Sequence, residues 1–325
     1  MMISSRDTNS SQPLATVAMV TYNSEKYVAE AIESVLCQSY ENLELLICDD
    51  HSSDTTWERV KSYGDSRIKA HRNETTMGEY PNRNRALELA QGAYIIYIDG
   101  DDILYPHGLE FMVRMLEAFP AAAMAMARPW SEKVIYPIEL DSRQFFLCQF
   151  LGPGVLAINF AHLLMRTSVL RDIGGLDTRY SSGDTEVQYR IARDHKTLLI
   201  SDGLAWWRRS PGQASEKMLR DHVLQLDGLS YLNDALDDPK CPLTTPEIGR
   251  ARANLYGGFI RLVLRCAVHG RLGHAFELLQ KAKLPLRAWK YAFVAGDYSH
   301  LSDVSASRPL TSTLEQNPFA RFPAL

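Results

Sequence analysis

The stretch Tyr94-Ile95-Ile96-Tyr97-Ile98-Asp99-Gly100-Asp101-Asp102 decides the fold. An unbroken apolar run that follows Gly92 and ends abruptly in acids describes a short strand buried on both faces and closed by a polar turn. Strands of this kind belong to sheets covered by helices, and the residues upstream supply the other members. Pro81 suits the first turn of a helix that runs to about Ala90 and is ended by Gly92. Before it, Ile68 to His71 reads as a strand, Asp54 to Tyr63 as a helix capped by Ser53 or Asp54, and Leu43 to Cys48 (L-E-L-L-I-C) as a buried strand. Earlier still, Glu25 to Gln38 sets Tyr27, Val28, Ala31, Ile32 and Val35 on one helical face, behind a first strand, Thr16 to Thr21 (T-V-A-M-V-T). The alternation predicts an α/β fold with a mostly parallel sheet and helices on both faces. In such sheets ligands bind beyond the carboxyl ends of the strands.

Those ends carry acids. The first strand runs into Thr21-Tyr22-Asn23, the second into Asp49-Asp50-His51-Ser52-Ser53-Asp54, and the fourth into Asp99-Gly100-Asp101-Asp102. Negative charge gathered in one crevice is costly without a positive partner, and a divalent cation carrying a diphosphate answers that need. A helix cap or polar turn explains one acid at such a place but not adjacent pairs.

The remaining composition narrows the field. The chain has 325 residues, 46% of them hydrophobic, enough for one large core and a smaller appendage. Lys and Arg number 35 against 39 Asp and Glu, so the net charge of -4 gives no reason to expect nucleic acid as a partner. Cys37, Cys48, Cys148, Cys241 and Cys266 are scattered without a C-x-x-C pair, which argues for reduced thiols rather than disulfides or zinc. Met1 to Pro13 is polar and lacks the apolar stretch of a secretory signal, so residues 1–14 are read as a flexible tail and the protein as cytoplasmic. The uncharged run Gln144 to Met165 is interrupted by Gly152-Pro153-Gly154 and reads as buried core with a loop in its middle, not as a membrane span.

In order, T-Y-N, D-D-H-S-S-D-T, G-x-x-x-x-R-N-R-A-L-E-L-A-Q-G, Y-I-I-Y-I-D-G-D-D, I-G-G-L-D and G-D-T-E make residues 15–215 resemble a family-2 glycosyltransferase of the GT-A fold, of the bacterial polysaccharide type. The resemblance implies a nucleotide-binding half (15–102) and an acceptor half (103–215). It assigns Asp50 to the nucleobase N–H, with Thr21 and Tyr22 lining the same pocket, and an aromatic ring and a carboxylate do suit an imide base. Asp99-Gly100-Asp101 matches the family's D-x-D motif: Asp101 is expected to hold Mn²⁺ or Mg²⁺, and Asp99 the ribose or a metal-bound water, with Asp102 able to share either task. Arg83 is expected to reach a phosphate and Asn84 to fix loop geometry, while Arg85 fits a solvated face equally well. Gly183-Asp184 corresponds to the family's E-D or G-D motif and makes Asp184 the general base, although an aspartate opening the helix Thr185 to Arg193 also suits a cap. Arg208 or Arg209 is expected over the diphosphate, Trp206 and Trp207 offer faces for a sugar or for packing, and His162 is expected to be structural or near the acceptor.

Beyond Ser215 no family motif appears. Residues 216–325 read as a helical C-terminal region with helices at Glu216–Leu236, Thr245 to about Val268, and Leu272–Ala282. Ile248, Ala251, Leu255, Phe259, Leu262 and Cys266 form an apolar stripe suited to packing on the catalytic part. Between Arg250 and Lys290 stand nine Lys or Arg and one acid, Glu277, so contact of these basic helices with a membrane is a second possible use.

The expected activity is therefore metal-dependent, inverting transfer of a sugar from a nucleoside diphosphate sugar, UDP-linked by preference, to a glycan or lipid-linked acceptor in surface polysaccharide or lipid-linked glycan synthesis. Two alternatives stand beside it. A nucleotidyltransferase uses a related fold, but its glycine-rich phosphate loop after the first strand is replaced here by Tyr22-Asn23-Ser24-Glu25. A non-catalytic sugar-nucleotide binder would have no need of both the acidic pair and Asp184.

Overall fold

A computed structural model describes residues 12–128, 134–157, 159–209 and 223–291. At its centre lie three strands without a solvent-facing side. Strands β1 (Ala15–Thr21) and β2 (Leu43–Asp49) are buried at every position, and β4 (Tyr94–Asp99) at all but the last. Each isoleucine or leucine so enclosed contributes about 1.5–3 kcal/mol relative to an exposed one. With β3 (Ile68–Arg72) these strands form a parallel set in the order β3-β2-β1-β4. β3 is the edge, and its residues are half-buried or exposed.

Helices α1 (Val28–Leu36), α2 (Thr56–Lys61) and α3 (Glu79–Leu89) make the crossovers. Pro81 falls in the first turn of α3, as expected. α1 starts three residues later than its apolar face predicts, because Tyr27 and Val28 both donate to the Ser24 carbonyl in a tight turn.

The second half of the sheet is mixed. After β5 (Ile103–Leu104) and α4 (Gly108–Ala118) come β6 (Ala122–Arg128), β7 (Ile138–Leu140), α5 (Ser142–Leu151), β8 (Leu163–Arg166), α6 (Thr167–Asp172), α7 (Gly183–Asp194), β9 (Lys196–Ser201) and β10 (Ala205–Trp206). β8 runs antiparallel to both β4 and β6, β9 is parallel to β6, and the full order is β3-β2-β1-β4-β8-β6-β9-β7. β10 pairs with β5 in a separate ribbon, Ala205 opposite Leu104 and Trp206 opposite Ile103. The stretch 144–165 thus holds a helix, a glycine loop and a buried strand, as its breaker predicts.

Two cores flank the sheet. Val28, Ile32, Val35, Leu109, Met112 and Leu116 of α1 and α4 pack on one face. Ala86, Leu87, Phe145, Phe146, Val187 and Ile191 of α3, α5 and α7 pack on the other.

Helices α8 (Val223–Asp237), α9 (Thr245–Val268) and α10 (Leu272–Ala282) form a third cluster around Leu229, Phe259, Ile260, Val263 and Leu278. α9 begins with a Thr244/Glu247 capping box. The apolar stripe of α9 divides: Ala251 and Ile248 join the sheet-side core, whereas Phe259 and Cys266 pack among the helices. Arg143 ties α5 to Glu247 at 2.8 Å, and Arg193 ties α7 to Asp238 at 2.5 Å. The described part of the expected helix Glu216–Leu236 is α8; residues 216–222 lie outside the described residues. None of the described helices is long and apolar enough to cross a membrane.

Candidate active site

The strand order reverses at β1 and β4, whose neighbours lead away in opposite directions, and in sheets of this kind ligands bind at such a position, beyond the carboxyl ends. The turns after β1 and β2 brace each other there. Asp49 is fully enclosed and accepts from the Thr21 hydroxyl (3.0 Å), the Ser52 N–H (3.0 Å) and the Ser52 hydroxyl (2.5 Å). Asn23 adopts a left-handed backbone, φ 50°, and its side chain takes the Ser53 N–H at 2.8 Å. Asp49 is thereby the internal pin of the rim.

Asp50 faces the other way. Its carboxylate accepts from the Asn73 amide and the Met77 and Gly78 N–H groups, each at 2.8 Å. Asn82, bonded to the Cys48 carbonyl and to Asn73, holds this arrangement from α3. A carboxylate has about four acceptor positions, so Asp50 keeps one beyond those that fasten the 73–78 loop. Thr21 is buried beneath it with its hydroxyl committed to Asp49, and Tyr22 stands 55% exposed at the rim.

Around the end of β4 the acids meet a buried cation. Arg83, expected to reach a phosphate, is instead enclosed: it is 1% exposed, bonds Glu79 at 2.9 Å, forms an ion pair with Asp99, and lies 4.9 Å from the Phe160 ring centre. Both of its amino groups are turned to those carboxylates, and its Nε is buried without a hydrogen-bond partner. Burial works against its charge, but Asp99 and Glu79 outweigh that and raise its pKa. Asp102 is buried and accepts from the Arg208 N–H at 3.0 Å. Burial, then the charge of Asp99, push its carboxyl up to about 8. The β5–β10 ribbon lays Arg208 across this turn, where its side chain donates to the Asp101 carbonyl (2.7 Å) and Glu30 (2.5 Å) and stacks 4.2 Å from the Tyr27 ring centre. Arg209 lies over Trp207, and Trp206 is exposed.

Asp184 sits at the second position of α7, after Ser182 and Gly183, so it is inside the helix rather than its cap. Burial raises its carboxyl above the ordinary range, while the Thr185 N–H and the Arg83 guanidinium draw it down and Asp99 pushes it up. Glu79 is likewise raised, first by burial, and it also feels Arg83, Asp99 and Asp184. Asp184 therefore lies within electrostatic reach of Arg83, Glu79 and Asp99. Packing fixes the helix end closely: a Cβ on Gly183 would stand 2.4 Å from the Tyr80 ring, whose hydroxyl donates to the Ser181 carbonyl at 2.9 Å.

Asn84 clamps the I-G-G-L-D turn by bonding both the N–H and the carbonyl of Leu176 at 2.8 Å, next to Gly175 at φ 76°. Arg85 pairs with Glu88 on the solvated face of α3. His162 is buried between Asn159 (2.6 Å) and Asp202 (3.1 Å), and burial lowers its pKa.

Motif spacing gives no hint of Glu79 as a member of the cluster or of Tyr27 under Arg208; only the helical phase Glu79–Arg83 could have signalled the first. Among the described residues no three His, Cys, Asp or Glu side chains form a group able to hold a metal ion by themselves. Asp99, Asp101 and Asp102 nevertheless offer hard oxygen donors on one turn, which suits Mg²⁺ or Mn²⁺ completed by phosphate oxygens and water.

Residues 16–174 match the family model described as glycosyl transferase family 2. Over 103 residues, 32% of this chain, the sequence is 44% identical to an Escherichia coli protein named UDP-Glc:α-D-GlcNAc-diphosphoundecaprenol β-1,3-glucosyltransferase WfgD. Over 110 residues, 33% of this chain, it is 44% identical to the putative glycosyltransferase EpsE of Bacillus subtilis. These matches span 41% and 40% of the relatives' own lengths. Among solved structures, S. aureus TarS 1-349 in complex with UDP-GlcNAc superposes with a TM-score of 0.60 at 18% identity, covering 96% of this chain and 94% of that one. A mannosyltransferase from Pyrobaculum calidifontis, in complex with GDP-Man and Mn²⁺, gives 0.56 at 18% identity over 96% of this chain and 86% of that one. At such identity the structures speak for the GT-A fold alone. Together with the ordered motifs, the match identifies residues 16–174 as a glycosyl transferase family 2 domain.

Proposed function

We propose that the chain transfers a sugar from a nucleoside diphosphate sugar, preferably UDP-linked, to an acceptor hydroxyl, with inversion, in the synthesis of surface polysaccharide or a lipid-linked glycan. The observation that carries this reading is a grouping of charge: Arg83 pairs with Asp99 at the end of β4, and both lie within electrostatic reach of Asp184 at the start of α7. An acid suited to take a proton and acids suited to a diphosphate site are thus grouped around one buried cation. Asp50, with its remaining acceptor position, and the exposed ring of Tyr22 supply the nucleobase pocket above Thr21. Asp99 binds the ribose or a water beside the metal.

The step is a single displacement. The acceptor oxygen forms a bond to the anomeric carbon as the bond from that carbon to the phosphate oxygen breaks, the electron pair leaves with the nucleoside diphosphate, and the acceptor proton passes to the Asp184 carboxylate. A sugar hydroxyl is a far weaker acid than any carboxyl, so its proton moves during attack. Asp101, with help from Asp99 or Asp102, would hold Mn²⁺ or Mg²⁺, which when bound neutralises charge on the departing diphosphate. Arg208, which lies across the same turn, would close over that group. The printed substrates of WfgD and the UDP-GlcNAc bound to TarS support the UDP preference and, for WfgD, a lipid-linked acceptor.

Incubation with labelled UDP-glucose, UDP-galactose, UDP-GlcNAc and GDP-mannose, each with Mn²⁺ and a GlcNAc-diphospho-lipid acceptor, tests the reading. Label appearing in the acceptor with release of nucleoside diphosphate is the expected result. Pyrophosphate chemistry, or tight binding without turnover across the panel, would overturn it in favour of a nucleotidyltransferase or a binding protein.

A further inference from the structure

We propose that the turn joining α9 to α10, together with the short helical turn after α10, docks on an anionic lipid surface. Four large apolar side chains at the α9–α10 turn, Leu264, Val268, Leu272 and Phe276, are exposed at regular spacing. The last three are 84%, 69% and 62% exposed, and Leu286 beyond α10 reaches 91%. The opposite side of α10 is occupied, since Ala275 and Leu278 are buried against α9. Single exposed apolar residues need no explanation, but a run of them on one helical hairpin does.

Charge selects the occupant. Arg265 and Arg271 are exposed around the apolar tip, Lys283 and Lys290 are exposed beyond the far end of α10, and none of the four pairs with a described carboxylate. Glu277, the only acid between Arg250 and Lys290, is taken by Lys281 at 2.6 Å. Lipid headgroups supply the matching phosphates, and the acyl boundary accepts leucine and phenylalanine. Nucleic acid would use the cations and leave the apolar tip in water. The inference stands on this surface and is independent of the transfer reaction.

The test is sedimentation of the full chain with vesicles of phosphatidylcholine alone or with added phosphatidylglycerol. Binding is expected only with the anionic lipid, weakening steeply as salt rises. Arg265→Gln with Arg271→Gln should weaken it about 25-fold, and Leu272→Ser with Phe276→Ser at least about tenfold. Both double variants should melt like the parent and transfer sugar to a water-soluble acceptor at the parent rate, since every altered side chain is exposed. Absence of vesicle binding at low salt, or binding that neither double variant weakens, would overturn the proposal. So would a dimer of the parent chain that the apolar variant dissolves while vesicle binding persists.

Discussion

Replacing Arg83 by methionine keeps most of the buried volume and removes the positive charge that Glu79 and Asp99 share. Loss of one partner from a buried ion pair costs about 3–5 kcal/mol, because the stranded charge is left unpaired. Here the carboxylates are 44% and 47% exposed and can regain some water, so the lower end, about 3 kcal/mol at pH 8, is expected. For a chain of this size that corresponds to a fall in melting temperature of roughly 6 °C. The pH dependence has a definite sign. Glu79 and Asp184 are already raised while Arg83 is present, and without it they rise further. The native variant then binds more protons than its unfolded chain above the ordinary carboxylate range, so its stability is lost as pH increases through the raised values. The deficit relative to the parent should shrink by at least about 1 kcal/mol between pH 8 and pH 5. Urea unfolding at both pH values reads this directly, and Arg83→Lys, which keeps the charge without the planar fork, should recover part of the loss. A methionine variant as stable as the parent at pH 8, or a deficit that grows on acidification, would refute the central place given to Arg83.

Other consequences are simpler to state. Gly183→Ala forces the start of α7 away from Tyr80 and carries Asp184 with it; a displacement near 1 Å should slow turnover about a hundredfold with the donor still bound, as read by steady-state kinetics and nucleotide titration. Asn84→Ala leaves both backbone groups of buried Leu176 without their partner, and chemical unfolding should register a loss of about 2 kcal/mol. In its proposed role as base Asp184 must be ionised, and its pKa lies above the usual carboxylate range, so kcat/KM should fall on acidification at a pH higher than an ordinary aspartate would set. A profile flat through the weakly acidic range contradicts that role.

What could be read from the residues follows from how each element is buried. β1, β2 and β4 are covered on both faces, so their apolar runs have clear ends, and the expected spans agree with the observed ones to within one residue at each end. The edge strand β3 is legible from Ile68 to His71, one residue short of its observed end, although its residues are half-buried or exposed. β6 (A-A-M-A-M-A-R) lacks β-branched residues and gives no strand signal, though its positions are almost all buried. Strand direction is not written in composition, and the antiparallel insertion of β8 between β4 and β6 follows from tertiary packing.

At the site, motif order located the acids correctly at the carboxyl edge but not the use of each side chain. Asp49 and Asp50 are adjacent and chemically identical, yet one pins the rim and the other fastens the 73–78 loop. Arg83 looks in sequence like an available cation. Glu79, one helical turn before it, and Asp99, at the end of a neighbouring strand, enclose it, and of these only Glu79 leaves a trace in the sequence, through helical phase.

The most direct measurement compares Asp184→Asn with the parent in sugar transfer and in donor titration. The account predicts a fall in turnover of about 10²–10⁴, the usual worth of a general base, with nucleotide-sugar affinity essentially unchanged. Transfer at the parent rate in the asparagine variant would contradict it, because the proton of the attacking hydroxyl would then be leaving by another route.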